Sequence, residues 1–115
     1  MTKLKIAFDV DDTLIIPTGA FADEPHTYCG IYGAVPNYKV IEIFHFFESQ
    51  GNEMFIWSGG GVDYARTWAE KLGLNAQIIV KQKREDMDIA FDDMSVDLAK
   101  VNVKVKRLNN SISRK

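Results

Sequence analysis

From Leu4 to Val10 the chain runs Leu-Lys-Ile-Ala-Phe-Asp-Val, a short apolar stretch rich in β-formers. It predicts a buried strand with Asp9 to Thr13 as the loop at its carboxyl end. The stretch from Pro17 to Pro36 holds all three prolines together with several glycines, so a long loop or a small β-flap is expected over about 14–36. Val40, Ile43, Phe44 and Phe47 then recur at helical spacing, with Ile41 and Phe46 as a second apolar flank and Gly51 as the stop. Glu53 to Trp57 reads as the next strand and closes on Ser58-Gly59-Gly60-Gly61. Val62, Ala65, Trp68 or Ala69, and Leu72 trace one face of a second helix that ends at Gly73. Ala76 to Val80 predicts a third strand, and Asp88 to Phe91 a fourth that ends at Asp92-Asp93. Val101, Val103 and Val105 alternate with polar residues, as in a half-exposed edge strand, before a polar tail over about 107–115. Strands alternating with helices predict an α/β fold: a mainly parallel sheet with helices on both faces and ligands at the carboxyl ends of the strands.

Composition narrows the classes. The length of 115 residues, with 46% hydrophobic content, suits one domain spanning the chain. A net charge of -2 gives no basic footprint for nucleic acid. The apolar runs are far shorter than a membrane-spanning helix needs. The single cysteine, Cys29, and the absence of a secretory pattern at the start fit a reducing, cytoplasmic setting.

The chemistry gathers at the predicted strand ends. Asp9 and Asp11 follow the first strand, Ser58 the second, Lys81 and Lys83 the third, and Asp92 and Asp93 the fourth. In a parallel sheet these ends converge on one rim, where several carboxylates without a counter-charge would repel one another. A hard divalent cation with oxygen ligands resolves that repulsion. Magnesium, held by a few carboxylates plus phosphate oxygens, is the expected cofactor.

Ile-Ala-Phe-Asp9-Val-Asp11-Asp-Thr13-Leu resembles the first motif of the haloacid dehalogenase-like phosphotransferases, a hydrophobic strand followed by Asp-x-Asp-x-Thr. Met-Phe-Ile-Trp-Ser58-Gly is similar to the second motif, Lys81 or Lys83 supplies the third, and Asp-Ile-Ala-Phe-Asp92-Asp93 resembles the fourth. The resemblance runs from about Leu4 to Asp97, and implies a three-layer, Rossmann-like α/β/α fold and a phosphomonoester hydrolase. In that reading Asp9 attacks phosphorus to form an aspartyl-phosphate and Asp11 is the general acid/base. Thr13 belongs to the catalytic motif. Ser58, Gly59 and Gly60 bind the phosphoryl group, and a lysine neutralises it. The implied metal set is Asp9, Asp11 through its backbone carbonyl, Asp92 and Asp93, with Asp97 as an alternative to Asp93. Asp12 stands where family members often have glycine, and aspartate tolerates the unusual backbone angles such a turn demands.

Neither interval between the motifs leaves room for a cap domain. The site is therefore expected to be open, suited to a large substrate, or covered by the 21–38 loop or a neighbouring subunit. Phe21, Tyr28, Tyr32 and Tyr38 are candidate stacking residues or loop anchors. The Phe44, Phe46 and Phe47 cluster leaves room for a homo-oligomer, and His45 reads as a core or interface histidine. His26 and Cys29 lack a second pair to complete a zinc site and read as incidental loop residues. Two alternatives stay open beside hydrolysis: a non-catalytic domain that binds phosphate or a partner, and phosphotransfer to an acceptor other than water.

Overall fold

The computed structural model describes residues 3–17 and 34–107. The elements are β1 (Lys5–Asp9), β2 (Ile15–Pro17), β3 (Ala34–Pro36), α1 (Tyr38–Ser49), β4 (Glu53–Trp57), α2 (Val62–Leu72), β5 (Gln77–Ile78), β6 (Ile89–Asp92) and β7 (Val101–Lys104). β5, β4, β1, β6 and β7 lie side by side in that order, and every neighbouring pair is parallel. The fold is α/β with a mainly parallel sheet. None of the described helices is long and apolar enough to cross a membrane.

Period-two alternation divides the strand residues between two clusters. Ile6 and Phe8 of β1, Met54 and Ile56 of β4, and Phe91 of β6 pack with Val40 and Phe44 of α1 and with Ala65, Trp68 and Ala69 of α2. Phe8 stacks on Phe91 at 4.5 Å between ring centroids and meets Phe44 at 5.3 Å, which seats α1 over the middle of the sheet. The intervening residues Ala7, Phe55, Trp57 and Ala90 pack instead with Met87 and Ala99, which belong to irregular segments. Both described helices thus share one cluster, whereas the pattern predicts helices on both faces. Connection length is the reason: residues 79–88 and 93–100 join β5 to β6 and β6 to β7. A packed crossover helix needs a dozen or more residues.

The boundaries of β4 and α2 agree with the sequence reading, and Gly73 closes α2 in the left-handed conformation at φ 69°. Ile43 and Phe46, read as helix-face residues, are exposed on α1, while Val40 and Phe44 carry its buried contact. β5 is shorter than the expected Ala76 to Val80, because at the sheet edge the chain turns away to carry Lys81 over the rim. β7 is an edge strand as expected, but more exposed on both faces than the alternation implies. β2 and β3 pair antiparallel, Ile15 opposite Pro36 and Pro17 opposite Ala34, near the two ends of the stretch expected as a loop or β-flap, whose residues 18–33 lie outside the described residues. Phe21, His26, Tyr28, Cys29, Tyr32 and the tail from 108 onward lie outside the described residues.

Candidate functional site

Parallel register brings the chemistry to one end of the sheet. Asp9 ends β1 opposite Trp57, Ser58 directly follows Trp57, and Asp92 ends β6 opposite Lys104 of β7. Asp9, Asp92 and Asp93 are buried, and each offers a carboxylate oxygen within 4.8 Å of the others. Lys81 reaches in from beyond β5. Its Nζ donates to Asp9 Oδ1 at 3.1 Å and lies 2.6 Å from Asp92 Oδ2. Burial, joined by the charge of Asp92, pushes the Asp9 carboxyl well above its ordinary range despite the pull of Lys81. Burial works to lower the Lys81 pKa, but Asp9 and Asp92 outweigh it and hold the ammonium above its ordinary value.

The loop after β1 is built by its backbone. The Val10 carbonyl accepts from the N–H groups of Thr13, Leu14 and Ile15 at 3.2, 3.0 and 3.1 Å. That tight turn puts Asp12 at φ 61°, the left-handed region that aspartate enters more readily than most residues. The Thr13 hydroxyl is fully buried and sits 3.5 Å from Asp9 Oδ2, a long contact that steadies the carboxylate. Asp11 points elsewhere: its Oδ1 accepts a 2.6 Å hydrogen bond from the Tyr64 hydroxyl on α2.

At the end of β4 the Ser58 hydroxyl is buried and accepts from the Gly60 N–H at 2.9 Å, so this N–H supports Ser58. A side chain at Gly60 would bring a Cβ to 3.1 Å from the Tyr64 ring and 3.3 Å from Ser58 Oγ. Glycine here is therefore what allows Tyr64 to close on Asp11. Gly61 adopts φ 106° at the N-cap of α2, and Gly59 has open space around it.

Lys83 lies away from the rim, largely exposed, and pairs with the exposed Asp97 at 3.1 Å. The chain between β5 and β6 turns outward after Lys81, so only the first of the two lysines faces the acids, and Asp97 is likewise no partner of the carboxylate trio. The carboxylate of Asp11 also stands apart from that trio.

Two contributors were not found from the sequence. Arg107 Nε donates to Asp93 Oδ2 at 2.7 Å and lies 3.9 Å from Asp12. Tyr64 orients Asp11. Arg107 sits at the start of the segment read as a polar tail, and no local pattern marks it. Tyr64 had a signal, being an aromatic that follows the glycine turn by one helical turn, where it faces back over that turn.

The donor set suits a hard cation. Asp9, Asp11, Asp12, Asp92 and Asp93 are all buried, against the cations Lys81 and Arg107. Asp92 Oδ2 has no aligned hydrogen bond despite its close ion pair with Lys81, leaving a buried oxygen with spare acceptor capacity inside the cluster. All available ligands are oxygens, as magnesium or calcium prefers. No protein-family model, curated protein or solved structure matches this chain.

Proposed function

We propose that this chain is a magnesium-dependent phosphomonoester hydrolase with a capless, three-layer architecture of the haloacid dehalogenase-like type. The observation that carries the reading is the buried trio Asp9, Asp92 and Asp93, bridged on one side by Lys81. A structural role alone does not account for so many desolvated carboxylates at one strand end, since each raises the cost of ionising its neighbours.

Asp9 and Asp92 would hold the ion, with the Asp11 carbonyl and the Asp93 oxygen that Arg107 leaves available. The metal would supply charge stabilisation for an anionic nucleophile meeting an anionic substrate. Asp9 attacks phosphorus in line; the P–O bond to the leaving group breaks as the Asp9 O–P bond forms. Asp11, held by Tyr64, gives its proton to the departing oxygen and then takes one from the water that hydrolyses the aspartyl-phosphate. Lys81 would neutralise the transferring phosphoryl oxygens, and Ser58 would donate its hydroxyl proton to them, its oxygen being used to accept from the Gly60 N–H.

The test is hydrolysis of p-nitrophenyl phosphate with and without Mg²⁺, in the wild type and in Asp9→Asn, which keeps the shape and removes the nucleophile. Activity that requires both is the expected result. A folded wild-type protein that turns over neither this ester nor a panel of nucleotides and sugar phosphates would overturn the reading.

A further inference from the structure

Beside the acid cluster lies a groove of about 500 Å³ that opens from Asp93 and is lined by Met94, Val105, Lys104, Lys106 and Arg107. Its size falls within the range of small-molecule sites. It adjoins the rim because Asp93 belongs both to its lining and to the acid cluster, and because Lys104 pairs in register with Asp92, whose carbonyl accepts from the Val105 N–H at 2.7 Å. Its polar character opposes that of the rim. Lys81 is engaged by Asp9 and Asp92, and Arg107 by Asp93, whereas Lys104 and Lys106 are matched by no carboxylate among the described residues. Lysines so placed beside an apolar surface form an electrostatic trap for an anion attached to a less polar body.

We infer that this groove receives the leaving group of the substrate, and that the leaving group carries a second anionic group held by Lys104 and Lys106. The inference rests on the hydrolase reading and adds the substrate class: a phosphomonoester whose partly apolar body carries a second phosphate or carboxylate. Met94 and Val105 line the apolar part, and Arg107, which also lines the groove, is fastened to Asp93 of the acid cluster. An ester of the same body with no second anionic group would meet the rim acids without that compensation.

The experiment compares adenosine 5′-monophosphate with adenosine 3′,5′-bisphosphate, as ligands by titration calorimetry and as substrates by kcat/KM, in the wild type and in the Lys104→Gln/Lys106→Gln double variant. Both lysines are exposed, so the variant is expected to fold, and the ratio between the two nucleotides cancels any general loss of activity. The wild type should prefer the bisphosphate by about tenfold, in line with two exposed ion pairs, and the double variant should bring the ratio close to one. The preference should weaken with added salt. Hydrolysis of both nucleotides without preference, or a preference that survives in the double variant, would overturn the groove assignment and leave the hydrolase reading standing. Lysine-dependent preference in calorimetry without hydrolysis of any ester would support the groove as an anion site and overturn the hydrolase reading. Equal binding with no hydrolysis of these nucleotides, of p-nitrophenyl phosphate or of the ester panel would overturn both.

Discussion

Tyr64 donates its phenolic hydrogen to Asp11 Oδ1 at 2.6 Å, which ties the first turn of α2 to the loop that follows β1. One helix thereby orients the residue proposed to move protons at the end of a different element. Removing only that hydroxyl, in Tyr64→Phe, is expected to lower kcat on p-nitrophenyl phosphate by about threefold to tenfold, the worth of about 1 kcal/mol, with KM little changed. Steady-state kinetics of the two proteins would check it. Equal reduction of kcat in Gly60→Ala would follow from displacement of the same ring, since the new Cβ would meet it at 3.1 Å.

Lys81 and Lys83 are separated by one residue and have opposite expectations. Lys81→Ala leaves Asp9 and Asp92 facing each other without a cation, and should cost about 2 kcal/mol of stability in the absence of Mg²⁺. Activity should fall by about 10²-fold or more, as when a charge-stabilising donor is removed. Lys83→Ala breaks only an exposed pair with Asp97 and should shift stability by less than about 0.5 kcal/mol without affecting turnover. Urea unfolding with and without Mg²⁺, beside the phosphatase assay, would read both.

The left-handed turn at Asp12 restricts what can replace it. Asp12→Val places a β-branched residue at φ 61° and also removes the carboxylate near Arg107, so a loss of about 2 kcal/mol is expected. Asp12→Gly relieves the backbone strain and should stay within about 1 kcal/mol of the wild type. Thermal or urea unfolding of the two variants would separate backbone geometry from charge.

Acid should loosen the junction between β1 and β6. Asp86, bonded by Arg84 and flanked by Lys5, has its pKa lowered to about 2 from 3.8, and Asp88 is lowered by the hydrogen bond it accepts from the Lys5 N–H. A depressed folded pKa means that the stabilisation is present above the unfolded value, and is lost as pH falls through the folded one. The urea midpoint should therefore drop between about pH 4 and pH 2 in the wild type, and fall less steeply in Asp86→Asn/Asp88→Asn.

The local patterns foretold the parts that depend on neighbours in sequence. Alternation at Ile6, Phe8, Met54 and Ile56, and the glycines that close each helix, are written in consecutive residues, because β and helical periods follow from backbone geometry alone. The Asp9-x-Asp11 spacing and the Asp92-Asp93 pair were likewise visible, since each occupies the end of its own apolar run. Parallel order was inferred from strand and helix alternation, and the sheet bears it out.

What the chain could not announce was any relationship between distant segments whose partners have no local signature. Placement of both described helices in one cluster depended on how short the last connections are. The choice of Lys81 over Lys83 depended on where β5 ends and the chain turns, and the Arg107–Asp93 and Tyr64–Asp11 bonds join residues 14 and 53 positions apart. The sequence by itself determined the central strands, the two helices and the acids at the strand ends. Tertiary structure alone decided which side chains meet across the rim and where the lysine-lined groove lies, because such contacts depend on register and chain reversal, which no local period encodes.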